Sequence, residues 1–220
     1  MSRAAFNWRE LLRQMGGSSG LLALFAVIGG GALALTHAGT ADRIREQEQA
    51  TLIGRLNEIV PEARYDNALL KDTTQVQSRE IFGTDDAMTV YRARRGDRPV
   101  ALLLTTVAPN GYSGAIRLLV GVNADGRLAG VRVVQHRETP GLGDKIELSR
   151  SAWIRVFTGL SLDNPPAAAW KVRKDGGQFD QFAGATITPR AVVAAVRRTL
   201  DYAVRNMDAL FAAAAPEQNP

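Results

Sequence analysis

Ile116-Arg117-Leu118-Leu119-Val120-Gly121-Val122-Asn123-Ala124-Asp125-Gly126-Arg127-Leu128-Ala129-Gly130-Val131-Arg132-Val133-Val134 reads as two strands and the turn between them. Both runs are apolar and β-branched, which suits a pleated, buried surface, and Asn-Ala-Asp-Gly supplies the residues that tolerate a tight reversal. Upstream, Met88 to Arg95 and Val100 to Val107 carry a period of two around Gly96-Asp97, a second hairpin. Downstream, Val192, Val196, Leu200, Ala203, Met207 and Phe211 recur at steps of three and four, a helical stripe that must face the sheet. Antiparallel hairpins followed by a packed helix make an α+β domain.

The start of that last helix is marked by Thr188-Pro189. Threonine is a good N-cap, proline suits the first helical position, and Arg190 to Phe211 follows with helical periodicity. A helix N-terminus attracts anions, phosphate above all. Just before it, Gly184 and Ala185 leave the approach to the Thr186 hydroxyl uncrowded, so Thr186 is placed to hold a phosphorylated ligand. The same residues also read as an ordinary loop entering a capped helix.

Between the hairpin and a predicted short helix over Ser149 to Phe157 lies His136-Arg137-Glu138-Thr139-Pro140-Gly141-Leu142-Gly143-Asp144-Lys145. Pro140 stiffens this loop, and Gly141 and Gly143 let its backbone pass close to a flat ring. A structural turn is the alternative. Trp170 to Arg173 and Phe179 read as a further hairpin around Asp175-Gly176-Gly177, and Tyr65 to Asp86 is too weakly patterned to assign.

Composition narrows the chemistry. The 220 residues allow one membrane segment and one domain with a real core. Lys and Arg number 27 against 22 acids, interspersed and without aromatic interleaving, which argues against nucleic acid as partner. Zero cysteines exclude disulfides, thiolate metal sites and thiol catalysis. His37 and His136 are the two histidines, and no metal-ligand spacing surrounds either.

No Lys, Arg, Asp or Glu occurs between Arg13 and Asp42, and Gly20 to Leu35 is nearly all apolar. That length suits a membrane helix. A cleaved signal peptide ending near Thr36-His37-Ala38 is the runner-up. Arg3, Arg9 and Arg13 against Glu10 put the amino terminus on the cytoplasmic side and the chain after Ala41 outside. Ala41 to Val60 reads as a helix leading from the membrane to the domain, ended by Pro61.

Asp180-x-x-Ala183-Gly184-Ala185-Thr186 resembles the Asp-x-x-Ser/Thr-Gly-Ala-Thr signature at which a flavin transferase esterifies FMN phosphate to the last threonine. Ala183 departs from that signature. With Gly111-Tyr112-Ser113-Gly114, the His136–Gly143 loop resembles the His-x-Glu-Thr-Pro-Gly-Leu-Gly element of the same FMN-binding domains. These occur in the G subunit of the Rnf (also called Rsx) electron-transport complex and the C subunit of the sodium-pumping NADH:quinone oxidoreductase. The run through Gly143-Asp144-Lys145-Ile146 favours the former.

The resemblance implies a single transmembrane helix followed by one extracytoplasmic FMN-binding domain with an antiparallel sheet and packed helices. It divides the chain into a cytoplasmic end (1–17), a membrane helix (18–38), a helical connector (39–87), the FMN-binding domain (88–211) and a flexible tail (212–220). Thr186 would carry FMN as a phosphodiester, Gly184 and Ala185 would give clearance, and Asp180 would serve transferase recognition. Thr188, His136, Glu138, Thr139, Gly141, Leu142 and Gly143 would surround the cofactor. Tyr112, Trp153 and Trp170 are stacking candidates, each with core packing as its alternative. The implied partners are the other membrane subunits of a bacterial inner-membrane complex of the Rnf type, ferredoxin- and NAD-linked, with the domain in the periplasm and no stand-alone catalytic activity. The rival from another class is a membrane-tethered scaffold or ligand-binding domain.

Overall fold

The computed structural model describes the backbone of residues 8–213, with side chains from residue 22 onward except at 38, 41, 42 and 45. The chain divides into two compact units, Met1–Thr51 and Leu52–Pro220. The described part of the first unit is helical: α1 runs Trp8–Asn57, and its residues 52–57 belong to the second unit. Leu22, Leu24, Phe25, Val27, Ile28, Leu33 and Leu35 lie on the outside of α1, each more than half exposed. Among the described residues, no helix is long and apolar enough to cross a membrane. The Arg3, Arg9 and Arg13 side chains and the tail residues 214–220 lie outside the described residues.

The second unit is built on a five-stranded antiparallel meander in sequential order: β1 (Thr73–Val76), β2 (Met88–Arg95), β3 (Arg98–Ala108), β4 (Ile116–Asn123) and β5 (Leu128–Gln135). Both expected hairpins are present, with Leu102 opposite Val122 and Leu104 opposite Val120 between them. β1 joins the sheet from the stretch the sequence left unassigned, pairing Thr73 with Tyr91.

The period of two sends alternate residues of β3 into different cores. Leu102 and Leu104 join Val90, Leu118, Val120 and Val131 beneath α3 (Ile187–Arg205), whose Val192, Val196, Leu200 and Ala203 complete that core. Ala101 and Leu103 face the other way, with Tyr91, Ala93 and Leu119, against Leu56, Ile59, Val60, Tyr65 and Leu69. The sheet is therefore covered on both faces, so the period of two expected for Val100 to Val107 gives way in β3 to a run buried on both sides, Ala101 to Leu104.

The final helix and the Trp170–Phe179 segment differ from the sequence reading. The final helix is not continuous to Phe211: α3 stops at Arg205, Asn206 leaves helical geometry, and α4 (Met207–Ala212) follows. Arg92, buried within β2, donates from its guanidinium to the carbonyls of Leu210 and Ala213 as well as to Asp72 and Thr73, capping α4 with charge. The expected Trp170–Phe179 hairpin is also replaced. Arg173–Asp175 form a 3-10 turn, Gly176 takes φ +82°, and Val172 meets Phe179 in a parallel bridge because the chain circles instead of doubling back.

Candidate cofactor site

The short helix expected over Ser149 to Phe157 is a 3-10 turn, Ala152–Phe157, started by the Ser151 hydroxyl accepting the Trp153 amide at 3.1 Å. Ile154 and Phe157 are buried, and Trp170 stacks into the same cluster beside Phe157 and Phe179. Trp170 is thus core. Trp153 meets the ring of Phe182 edge-on at 5.2 Å, and its indole N–H donates to the carbonyl of Asp180 at 2.8 Å. That bond fixes the head of the Asp180–Thr186 loop. The Asp180 carboxylate stays 65% exposed, 3.0 Å from Arg173. Tyr112, by contrast with the core alternative, is 66% exposed.

The loop closes with the Ala185 amide donating to Phe182 at 3.1 Å, and Gly184 takes φ +77°. Thr186 is half-buried and stands at the N-cap of α3 with φ −70° and ψ −27°. Its carbonyl accepts the first helical bond, from Arg190, but its side chain makes no capping bond. Among the described residues the Thr186 hydroxyl has no partner. Nor do the amides of Ile187 and Thr188 at the same helix end, while Pro189 has no N–H to offer.

This corrects the cap assignment. Thr188 is already inside α3, fully buried, and its hydroxyl donates to Glu138 Oε2. The Thr-Pro pair is a genuine helix start, but the residue two places earlier occupies the cap because a buried carboxylate, 50 positions away in sequence, draws the Thr188 side chain inward.

Glu138 is 4% exposed, and its Oε1 accepts the Ser113 amide at 3.0 Å. A Cβ added at Gly111 would stand 2.9 Å from Oε1, and one added at Gly143 would stand 2.8 Å from Oε2. The carboxylate is therefore enclosed by glycines on two sides. Gly143 is needed for this approach, whereas Gly141 is needed for its φ of +79° in the turn that closes with Leu142 and Gly143 amides on the Thr139 carbonyl. Thr139 itself is exposed; Leu142 is 43% exposed and points its Cδ2 to within 3.7 Å of where a Gly184 Cβ would be. The two sequence motifs thus meet at Leu142–Gly184 and at Glu138–Thr188.

His136 lies behind this loop. Its Nδ1 accepts the Glu138 amide at 3.0 Å, so Nε2 carries the ring hydrogen and donates to Glu147 Oε1 at 2.5 Å. That bond, helped by Ser149 and the charge of Arg150, holds the Glu147 carboxyl below the usual range. His136 lines a cleft of about 450 Å³ with Arg55, Glu58 and Arg132. Trp153, a stacking candidate from the sequence, instead pins the Asp180 carbonyl, and Ser113 contributes through its backbone amide, which leaves no signal in residue type.

Residues 111–201 match the FMN-binding domain model, and residues 4–59 match the RnfG N-terminal region. The G subunit of an ion-translocating oxidoreductase complex from Pseudoalteromonas atlantica is 48% identical, over 92% of this chain and 94% of its own. The chain belongs to the RnfG family. Proteins of the same name from Vibrio atlanticus and Shewanella oneidensis are 48% and 47% identical, each over 87% of this chain and over 91% and 90% of their own. The segment matched to the FMN-binding domain opens at Gly111, beside Glu138, and ends within α3, so it contains every contact described between the two motifs. The match to the RnfG N-terminal region precedes the match to the FMN-binding domain along the chain.

Proposed function

We propose that this chain relays electrons within a membrane-bound, ion-translocating oxidoreductase complex of the Rnf type, through FMN joined to the Thr186 hydroxyl. Family membership and the FMN-binding domain support the cofactor and the role. The observation that carries the attachment is the state of the hydroxyls: Thr188 is bonded to Glu138 and Thr199 to Ala195, while Thr186 is uncommitted beside two free helix-end amides.

A phosphodiester needs an activated phosphoryl donor. A flavin pyrophosphate, delivered by a flavin transferase, meets that need: Thr186 Oγ1 forms the bond to phosphorus, its proton leaves to a base, and the donor's other phosphate departs with the electron pair. Ile187 and Thr188 amides favour the negative charge that remains. Gly184 keeps the approach open, Leu142 offers an apolar surface beside it, and Asp180 presents its exposed carboxylate to the transferase. FMN, once bound, supplies the capacity to take and give electrons; the protein sets its position and exposure.

Residues 18–38, of which 18–21 and 38 have no described side chains, serve in this reading as the single membrane anchor of a bacterial inner-membrane protein, with the N-terminus cytoplasmic and the Leu52–Pro220 unit periplasmic. The exposed Leu22, Phe25, Val27, Ile28, Leu33 and Leu35 support it, as does the order of arginines before the apolar run. The remaining membrane subunits of the complex are its partners. The test is colour. Protein purified from membranes, denatured and separated on a gel, fluoresces under ultraviolet light, and Thr186→Val protein does not; a colourless parent supports the non-redox scaffold instead.

A further inference from the structure

We infer that Glu138 is a positioning residue: it acts on the cofactor through Thr188, holding the start of α3 and hence the Thr186 hydroxyl in place, and does not touch the flavin. The inference rests on Thr186 as acceptor. Both carboxylate oxygens are engaged inside the protein, Oε1 with the Ser113 amide and Oε2 with the Thr188 hydroxyl. The flanks are filled too, since no Cβ fits at Gly111 or Gly143 without meeting those oxygens. At 4% exposure, nothing of Glu138 is left to face a ligand.

Three chain segments are tied by this one side chain: the Gly111–Ser113 loop, the turn from Thr139 to Gly143, and the first turn of α3. Thr188 is two residues from Thr186, so a rotation of that first turn swings the acceptor directly. Loss of the carboxylate would leave the buried Thr188 hydroxyl unpaired and release the Ser113 amide, and the turn would shift to find other partners. Misplacement of a reacting group by about 1 Å is enough to slow a reaction a hundredfold.

The experiment is covalent FMN per folded full-length chain, co-produced with its flavin transferase and read by intact mass after a fixed induction time. Glu138→Ala and Thr188→Val should each carry about tenfold less flavin than the parent, within that range. Their combination should lose no more than Glu138→Ala alone, because Thr188→Val removes a contact that Glu138→Ala already lacks. Glu138→Gln, whose amide can accept from Ser113 and donate to Thr188, should restore near-parental flavin, as should Thr188→Ser. Thr199→Val serves as the control for lost stability alone, since it removes a buried bond remote from the loop, and it should keep its flavin.

Full flavin on folded Glu138→Ala or Thr188→Val overturns the inference, as does an equal loss in Thr199→Val at matched stability. If Glu138→Ala does not accumulate, the near-isosteric Thr188→Val decides alone. A parent carrying FMN at another residue, or none, removes the acceptor reading and this inference together; a parent modified at Thr186 with an indifferent Glu138 removes only the inference.

Discussion

The indole N–H of Trp153 donates to the backbone carbonyl of Asp180 at 2.8 Å, joining the 3-10 turn of residues 152–157 to the head of the loop that ends at Thr186. Trp153→Phe keeps an aromatic edge against Phe182 but removes the donor. Urea denaturation should show a loss of about 1 kcal/mol, the usual net worth of one such bond. Flavin incorporation should slow, because the Asp180 end of the motif is no longer pinned. Unchanged incorporation kinetics would separate this bond from the attachment site.

A second prediction concerns acid. The folded-state value of Glu147 is depressed, chiefly by the hydrogen bond from His136. A depressed carboxyl contributes stability that is complete above its ordinary value of 4.5 and is lost as pH falls through the lower folded value. Glu147→Gln should therefore flatten the acid limb of the stability–pH curve. Urea midpoints measured from about pH 7 down to about pH 3 test this; parallel curves for parent and variant would contradict it.

Thr199 is fully buried, donating to the Ala195 carbonyl at 2.9 Å and lying 3.0 Å from the Thr106 hydroxyl, itself 1% exposed. Thr199→Val preserves shape and strands the Thr106 oxygen, at a cost of about 1–3 kcal/mol. Thermal denaturation reads the loss. The flavin spectrum should not move, because both hydroxyls sit under α3 against the sheet, away from its N-terminus.

Topology gives a fourth test. Protease added to intact spheroplasts should digest the chain after Asp42 while the residues before Arg13 remain protected. Protection of the Leu52–Pro220 unit would contradict the periplasmic placement.

Much of the sheet was legible in the sequence because hairpins announce themselves locally: Asn123-Ala124-Asp125-Gly126 sits between two apolar, β-branched runs, and Gly96-Asp97 between runs read with a period of two. β1 was not legible, since Thr73–Val76 is only four residues long and gains its place from pairing with β2, a tertiary effect. The break at Asn206 was hidden for a similar reason: the apolar stripe continues through Met207 and Phe211, and the buried Arg92 that caps α4 lies over a hundred positions away. At the site, Thr186 and Thr188 present nearly the same signal, two threonines just before a proline-started helix. What separates them is Glu138, which takes one hydroxyl into the core and leaves the other free. Spacing within a motif carries no trace of that contact.

The attachment of FMN to Thr186 is tested most directly by mass. Trypsin cleavage after Lys174 and Arg190 releases residues 175–190, in which Thr186 and Thr188 are the only side chains bearing a hydroxyl. In membrane-purified protein this peptide should carry one FMN, and fragmentation should assign it to Thr186. An unmodified peptide, or an adduct assigned to Thr188, contradicts the account.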